Sequence, residues 1–222
     1  MEAAVAPARP RSVARWTILG GLLYVIFFVV GTIMLFNGAP NGDATPAKVI
    51  QFYSDSGHRD RINVGWIMIT LAVFCLLWFI AALRRAVSMV DGEGILTGVV
   101  GIGGGIYAAL AFAAVALDSG IRTMSDDTYQ HRVFPELIHA AGDVSWVMHA
   151  TGAVGLGAMI IAASLAFMWG GLWPSWAGWV GAVVGVLTLA SIAFFPQFLF
   201  LLWILVVSIV IFTQSRPASR VA

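Results

Sequence analysis

Four apolar runs, residues 16–36, 62–83, 95–117 and 146–168, constrain this chain more than any motif in it. Each has the roughly 17–25 residues that a helix needs to cross the hydrocarbon core of a bilayer. A fifth stretch, 176–213, is apolar almost throughout, but as one helix it would be nearly twice as long as that core is thick. It must therefore fold back. Pro196 has no amide donor and restrains Phe195 from helical geometry, so a tight turn at FFPQ gives spans 176–194 and 197–213. The expectation is an all-α polytopic membrane bundle of six transmembrane helices (residues 16–213) with tails at 1–15 and 214–222. Composition agrees: 60% of the 222 residues are hydrophobic and 10% charged, with a mean hydropathy of +0.91.

Arginine placement orients the bundle, because basic residues are retained on the cytoplasmic side. With both termini cytoplasmic, the inner segments hold Arg9, Arg11, Arg15, Arg84, Arg85, Arg216 and Arg220 against three acids. The outer segments hold five basic residues against eight acids, and all four histidines. The leading MEAAVAPARPRSVARW imitates a signal peptide, but the apolar run behind it is too long for one and reads as an uncleaved first span. Every basic residue except Lys48 is arginine, as in GC-rich bacterial genomes, which places the protein in a bacterial plasma membrane. A net charge of +1 with scattered arginines excludes nucleic acid, and one cysteine, Cys75, excludes an intrachain disulfide or a thiolate metal site.

Two outer segments are more than turns. In DATPAKVIQFYSDSGHRDR, Thr45 can cap a helix with Pro46 at its first position, and Gly57 can end it. Val49, Ile50, Phe52 and Tyr53 suit a short amphipathic helix lying on the membrane surface. The second segment, 118–143, is a polar loop leading into Pro135.

Span three carries Gly94, Gly98, Gly101 and Gly105 on one stripe, and span five carries Gly181 and Gly185. Such small-residue faces let helices approach closely, within the bundle or against a second copy or another membrane protein. The GIGGG run lacks the Lys-Ser/Thr and preceding strand of a phosphate loop. Trp16, Trp66, Trp169, Trp173, Trp176 and Trp179 near span ends read as interfacial belts.

The chemistry-bearing residues gather around the fourth span. A continuous helix from Pro135 to near Trp169 would be about 52 Å long, so its first turns must protrude from a core of about 30 Å. Glu136, His139 and Asp143 share a face there, and Glu-x-x-His is the pairing by which carboxylate-bridged helical bundles hold a divalent metal. The motif occurs once, where such sites use it twice; the plainer reading is a solvated helix start with acids at its positive end. Asp118 and Arg122 are spaced for an ion pair, and His149, with Asp143 as its neighbour, is the deepest candidate for ligand binding or proton-linked work. His139 and His149 lie too far apart along one helix to ligate one haem, and no cofactor is expected.

The order of features resembles that of small six-helix membrane proteins assigned to families of unknown function, especially common in actinobacteria. The matching pieces are the arginine-led first span, TPAKVIQFYSDSGHRDR, the LRR after span two, and LWPSWAGWVGAVVGVLTL followed by LFLLWILVVSIVIF. The resemblance implies fold and location and carries over no catalytic residue. The expected function is a non-catalytic binding, permeation or accessory module with a polar outer mouth. The alternatives are a metal-dependent membrane enzyme using Glu136, His139 and Asp143, and a proton-linked secondary transporter.

Overall fold

The structure, a computed structural model, describes residues 13–122, 132–192 and 198–214. All regular structure among them is helical: α1 (Val13–Phe36), α2 (Pro46–Ser54), α3 (Ser56–Ser88), α4 (Ile95–Arg122), α5 (Pro135–Trp169), α6 (Ser175–Leu189) and α7 (Leu199–Gln214). A 3₁₀ turn, Ala190–Ile192, extends α6. Four helices, α1, α3, α4 and α5, are long and apolar enough to cross a membrane, while α6 and α7 are apolar but shorter. The turn expected at Pro196, and the loop residues Asp126, Asp127 and His131, lie outside the described residues.

Helices α1, α3, α4, α5, α6 and α7 each pack on the next, and α7 returns to α1 to close a ring. The ring is apolar inside and out. Tyr24, Leu76, Phe79, Leu156, Met159 and Ile204 are fully buried in its centre. Large aliphatic and aromatic residues also cover its perimeter, including Ile33, Ile67, Phe74, Ile102 and Leu202, which are half or more exposed. A helix apolar on every face suits a hydrocarbon surround, where helix association comes from close packing more than from the hydrophobic effect.

That packing depends on glycine, though not on the stripe expected in α4. A Cβ at Gly98 or Gly105 would meet nothing within 4 Å, and one at Gly101 would meet only the Arg84 side chain. Gly94 precedes the helix at φ 77°, a left-handed conformation that favours glycine in the turn from α3. The helix contact is instead made by Gly103, which faces Gly155 backbone to backbone, and by Gly104, which lies on Ile80. The expected stripe faces outward because α4 has small residues on two faces, and periodicity alone does not say which face meets α5. In α6, Gly181 lies against Ser164 and Trp203, and Gly185 against Ile161 and the Gly157 carbonyl.

Helix starts and stops differ from expectation at the α2–α3 junction and at the end of α4, among other places. Helix α2 ends at Ser54, and Asp55 rather than Gly57 makes the junction: it is extended, and its side chain accepts the His58 amide. Gly57 lies inside α3. The last carbonyls of α2, left without helical donors, are met by α3. His58 Nδ1 donates to Phe52 O (3.1 Å), and Arg59 donates to Ser54 O (2.7 Å). Helix α4 continues to Arg122, beyond the expected 117.

At the other end of the bundle, Asp91 caps α4 from four residues before its start. Its Oδ2 accepts the Thr97 amide at 2.7 Å. This bond favours the carboxylate and holds the Asp91 carboxyl below its ordinary value. A carboxyl whose pKa is lower folded than unfolded stabilises the fold above its unfolded pKa, and that contribution disappears as pH falls through the folded value. Acid titration of unfolding should therefore flatten below pH ~4 in Asp91→Asn relative to the parent chain. An unchanged acid limb would show that the cap contributes nothing there.

Candidate functional site

Where α1 and α4 end and α3 begins, the centre of the ring is hollow. The cavity is about 490 Å³ and is lined by α1, α2, α3, α4, α5 and Phe198. Its floor is Phe28, whose ring lies 5.6 Å from Tyr24 and 6.1 Å from Phe200. Just beneath, the Tyr24 and Tyr107 hydroxyls are hydrogen-bonded to each other at 3.1 Å. The polar groups of that layer satisfy one another, and packed apolar side chains fill the ring below.

Helix α2 lies against one side of the hollow, with Val49 and Tyr53 in its wall. Val49, Phe52 and Tyr53 turn inward and pack with Leu35, Ile62, Ile69, Val115 and Ile138. This corrects the expectation of a helix floating on the membrane surface: only Ile50 of the four apolar residues is exposed. The inward face is fixed by Arg122. Its Nε donates to Asp118 Oδ2 at 2.5 Å, its Nη1 donates to the Tyr53 hydroxyl, and its guanidinium carbon lies 5.4 Å from the centre of the Tyr53 ring. One arginine at the end of α4 thus ties α2 to the ring. Gly142 of α5 leaves space beside it: a Cβ there would come to 3.6 Å from Nη2.

Asp118 is 2% exposed. One carboxylate oxygen faces Arg122, and the other, Oδ1, is buried with no hydrogen-bond partner. Across the cavity, the Trp66 indole N–H is also buried and unpartnered. An unsatisfied buried polar group costs about 1–3 kcal/mol, and two residues that line the hollow, Asp118 and Trp66, each carry one.

Helix α5 supplies the remaining polar lining. Ser145 donates to the Ala114 carbonyl of α4 (3.2 Å), registering the two helices. The Ser145 carbonyl in turn accepts from His149 Nδ1 at 3.0 Å. A carbonyl can only accept, so Nδ1 carries the proton and a neutral His149 has Nε2 as its acceptor. His139, half-buried, and Asp143, exposed, stand at the rim.

The structure therefore brings Asp118, Arg122, His139, Asp143 and His149 to one cavity. Glu136 is exposed and is not among its lining residues. Among the described residues no three His, Cys, Asp or Glu side chains lie close enough to hold a metal ion, so the expected Glu136, His139 and Asp143 set does not converge. Its members share a helical face, but among the described residues no facing helix supplies further ligands. Tyr53 and Trp66 were missed as site residues. Tyr53 is 69 residues from Arg122, and a tryptophan near a span end reads first as an interfacial anchor. No protein-family model matches the sequence, and no curated protein or solved structure matches it either.

Proposed function

We propose that this protein is a non-catalytic binding module of a bacterial plasma membrane, with six spans and both termini cytoplasmic, which takes a single-chain amphiphile into a cavity open to the outer side. The observation that carries the reading is the hollow itself. At about 490 Å³ it has the size of a small-molecule site, with mostly apolar walls and a few convergent polar groups. Permeation fits less well, because the floor at Phe28 and the tyrosine pair rests on a filled ring. Six spans are supported by the ring in which α6 and α7 take places equivalent to the long helices, and the orientation by the arginines. A proton-linked transporter is the second reading, favoured by Asp118, Asp143 and His149 sharing one cavity. Loss of pH-driven uptake into vesicles on His149→Ala would support it over simple binding.

Ligand binding to the folded state raises apparent stability by RT ln(1 + [L]/Kd), about 2.7 kcal/mol at a hundredfold excess over Kd. Added single-chain amphiphiles should raise the melting temperature of the purified protein, and Thr32→Trp, which places an indole in the cavity, should abolish the rise. An equal rise in both proteins would mean that the amphiphile acts elsewhere. For orientation, in a Cys75→Ser background, an impermeant maleimide applied to intact cells should label Lys48→Cys and not Glu93→Cys. The reverse pattern would invert the topology.

A further inference from the structure

Donors and acceptors are unequally divided around the cavity. Asp118 Oδ1 is an acceptor without a partner, on a residue only 2% exposed. His149 has committed Nδ1 to the Ser145 carbonyl, leaving an acceptor as its other nitrogen. Asp143 adds a carboxylate at the rim. Against these acceptors, the Trp66 indole N–H is the buried donor without a partner among the described lining residues, while Arg122 is engaged by Asp118 and by the Tyr53 hydroxyl. The lining carries two acidic side chains, Asp118 and Asp143, to one arginine, Arg122. Aromatic side chains are frequent among the same residues: Phe28, Phe36, Tyr53, Trp66, Trp146 and Phe198.

Acceptors, an excess of acidic over basic side chains and aromatic walls together suit a desolvated cation. An ammonium has donors for Asp118 Oδ1 and His149, is attracted by Asp143, and gains from aromatic faces. A carboxylate head would meet two acids, and an alcohol has one donor to offer. We propose that the cavity selects an amphiphile with a primary ammonium head, its alkyl chain lying against the apolar wall of Phe28, Leu35 and Ile69. This rests on the binding reading above and adds the class of ligand. A free alkylammonium and a lipid with an amine headgroup offer the same chemistry.

The test is displacement. The full-length protein in lipid discs is photolabelled with a diazirine-bearing alkyl probe, and unlabelled dodecylammonium, dodecanol and dodecanoate compete. Dodecylammonium should displace the probe at a concentration about tenfold or more below that of dodecanol, and dodecanoate should be weakest. Asp143→Asn, at an exposed position whose loss should not impair folding, should narrow the ammonium-to-alcohol ratio by about threefold or more. Equal displacement by the three heads, or strongest displacement by dodecanoate, would overturn the ammonium assignment while leaving the cavity as a binding site. Failure of all three to displace would remove the binding reading itself. Dodecanoyl lysophosphatidylethanolamine as a fourth competitor separates the sources. Displacement matching that of dodecylammonium supports an amine-headed lipid, and weaker displacement supports a free cation.

Discussion

Arg122→Ala should destabilise the protein by about 3–5 kcal/mol, the usual cost of removing one partner from a buried ion pair. The substitution leaves the Asp118 carboxylate 2% exposed with neither oxygen compensated, and it releases the Tyr53 hydroxyl that fastens α2 beside the cavity. Most of the loss should come from the stranded acid and a smaller part from the missing bonds. Two further measurements separate these. The double variant Asp118→Ala with Arg122→Ala should recover a large share of the stability, since losing both charges is less harmful than losing one. Tyr53→Phe should cost only about 1 kcal/mol, the net worth of a typical hydrogen bond. In Arg122→Ala, proteolysis within residues 46–54 should also be faster than in the parent chain. A double variant no more stable than the single would mean that the ion pair is not what holds this end of the bundle together.

The second large effect concerns glycine, with opposite signs at two positions. Gly155→Ala would put a Cβ 2.5 Å from the Gly103 carbonyl oxygen and 3.1 Å from the Ile106 Cβ. Backbone cannot yield as a side chain tip can, so α4 and α5 must separate along their most extensive contact. Overpacking of this kind costs about 1–3 kcal/mol and sometimes more, which outweighs the 0.8–1 kcal/mol or so that alanine gains over glycine in a helix. Gly105→Ala, with nothing within 4 Å, keeps the gain alone and should be neutral to slightly stabilising. Thermal unfolding of the two variants side by side is decisive. Destabilisation by Gly105→Ala would indicate that the outer face of α4 is covered by another subunit or partner.

The glycine contrast shows what the sequence could express. Spacing at 100° per residue identified a smooth stripe in α4, but the helix is apolar on both faces, so periodicity could not say which stripe met α5. The continuous helix Pro135–Trp169 was legible, because Pro135 at its start and the length of apolar chain left little choice. The Asp118 and Arg122 pairing was equally legible, being local at one helical turn. Its third member was not: Tyr53 reaches Arg122 only because α2 folds over the ring, which depends on the α2–α3 junction at Asp55. Trp66 has the same sequence signature whether it anchors in lipid or lines a hollow. Glu136, His139 and Asp143 show the reverse difficulty, a local metal-like spacing that no facing ligand among the described residues completes.

The cavity is the centre of the account, and the most direct test is to map where a photoreactive alkyl probe attaches. Label should concentrate on peptides carrying Thr32, Trp66 and Trp146, from three helices that meet around the hollow, and it should fall sharply in Thr32→Trp. Label spread over the outward-facing Ile102, Trp176 and Trp179, and unchanged in Thr32→Trp, would show that the probe reads the lipid-facing perimeter and that the cavity takes up no amphiphile.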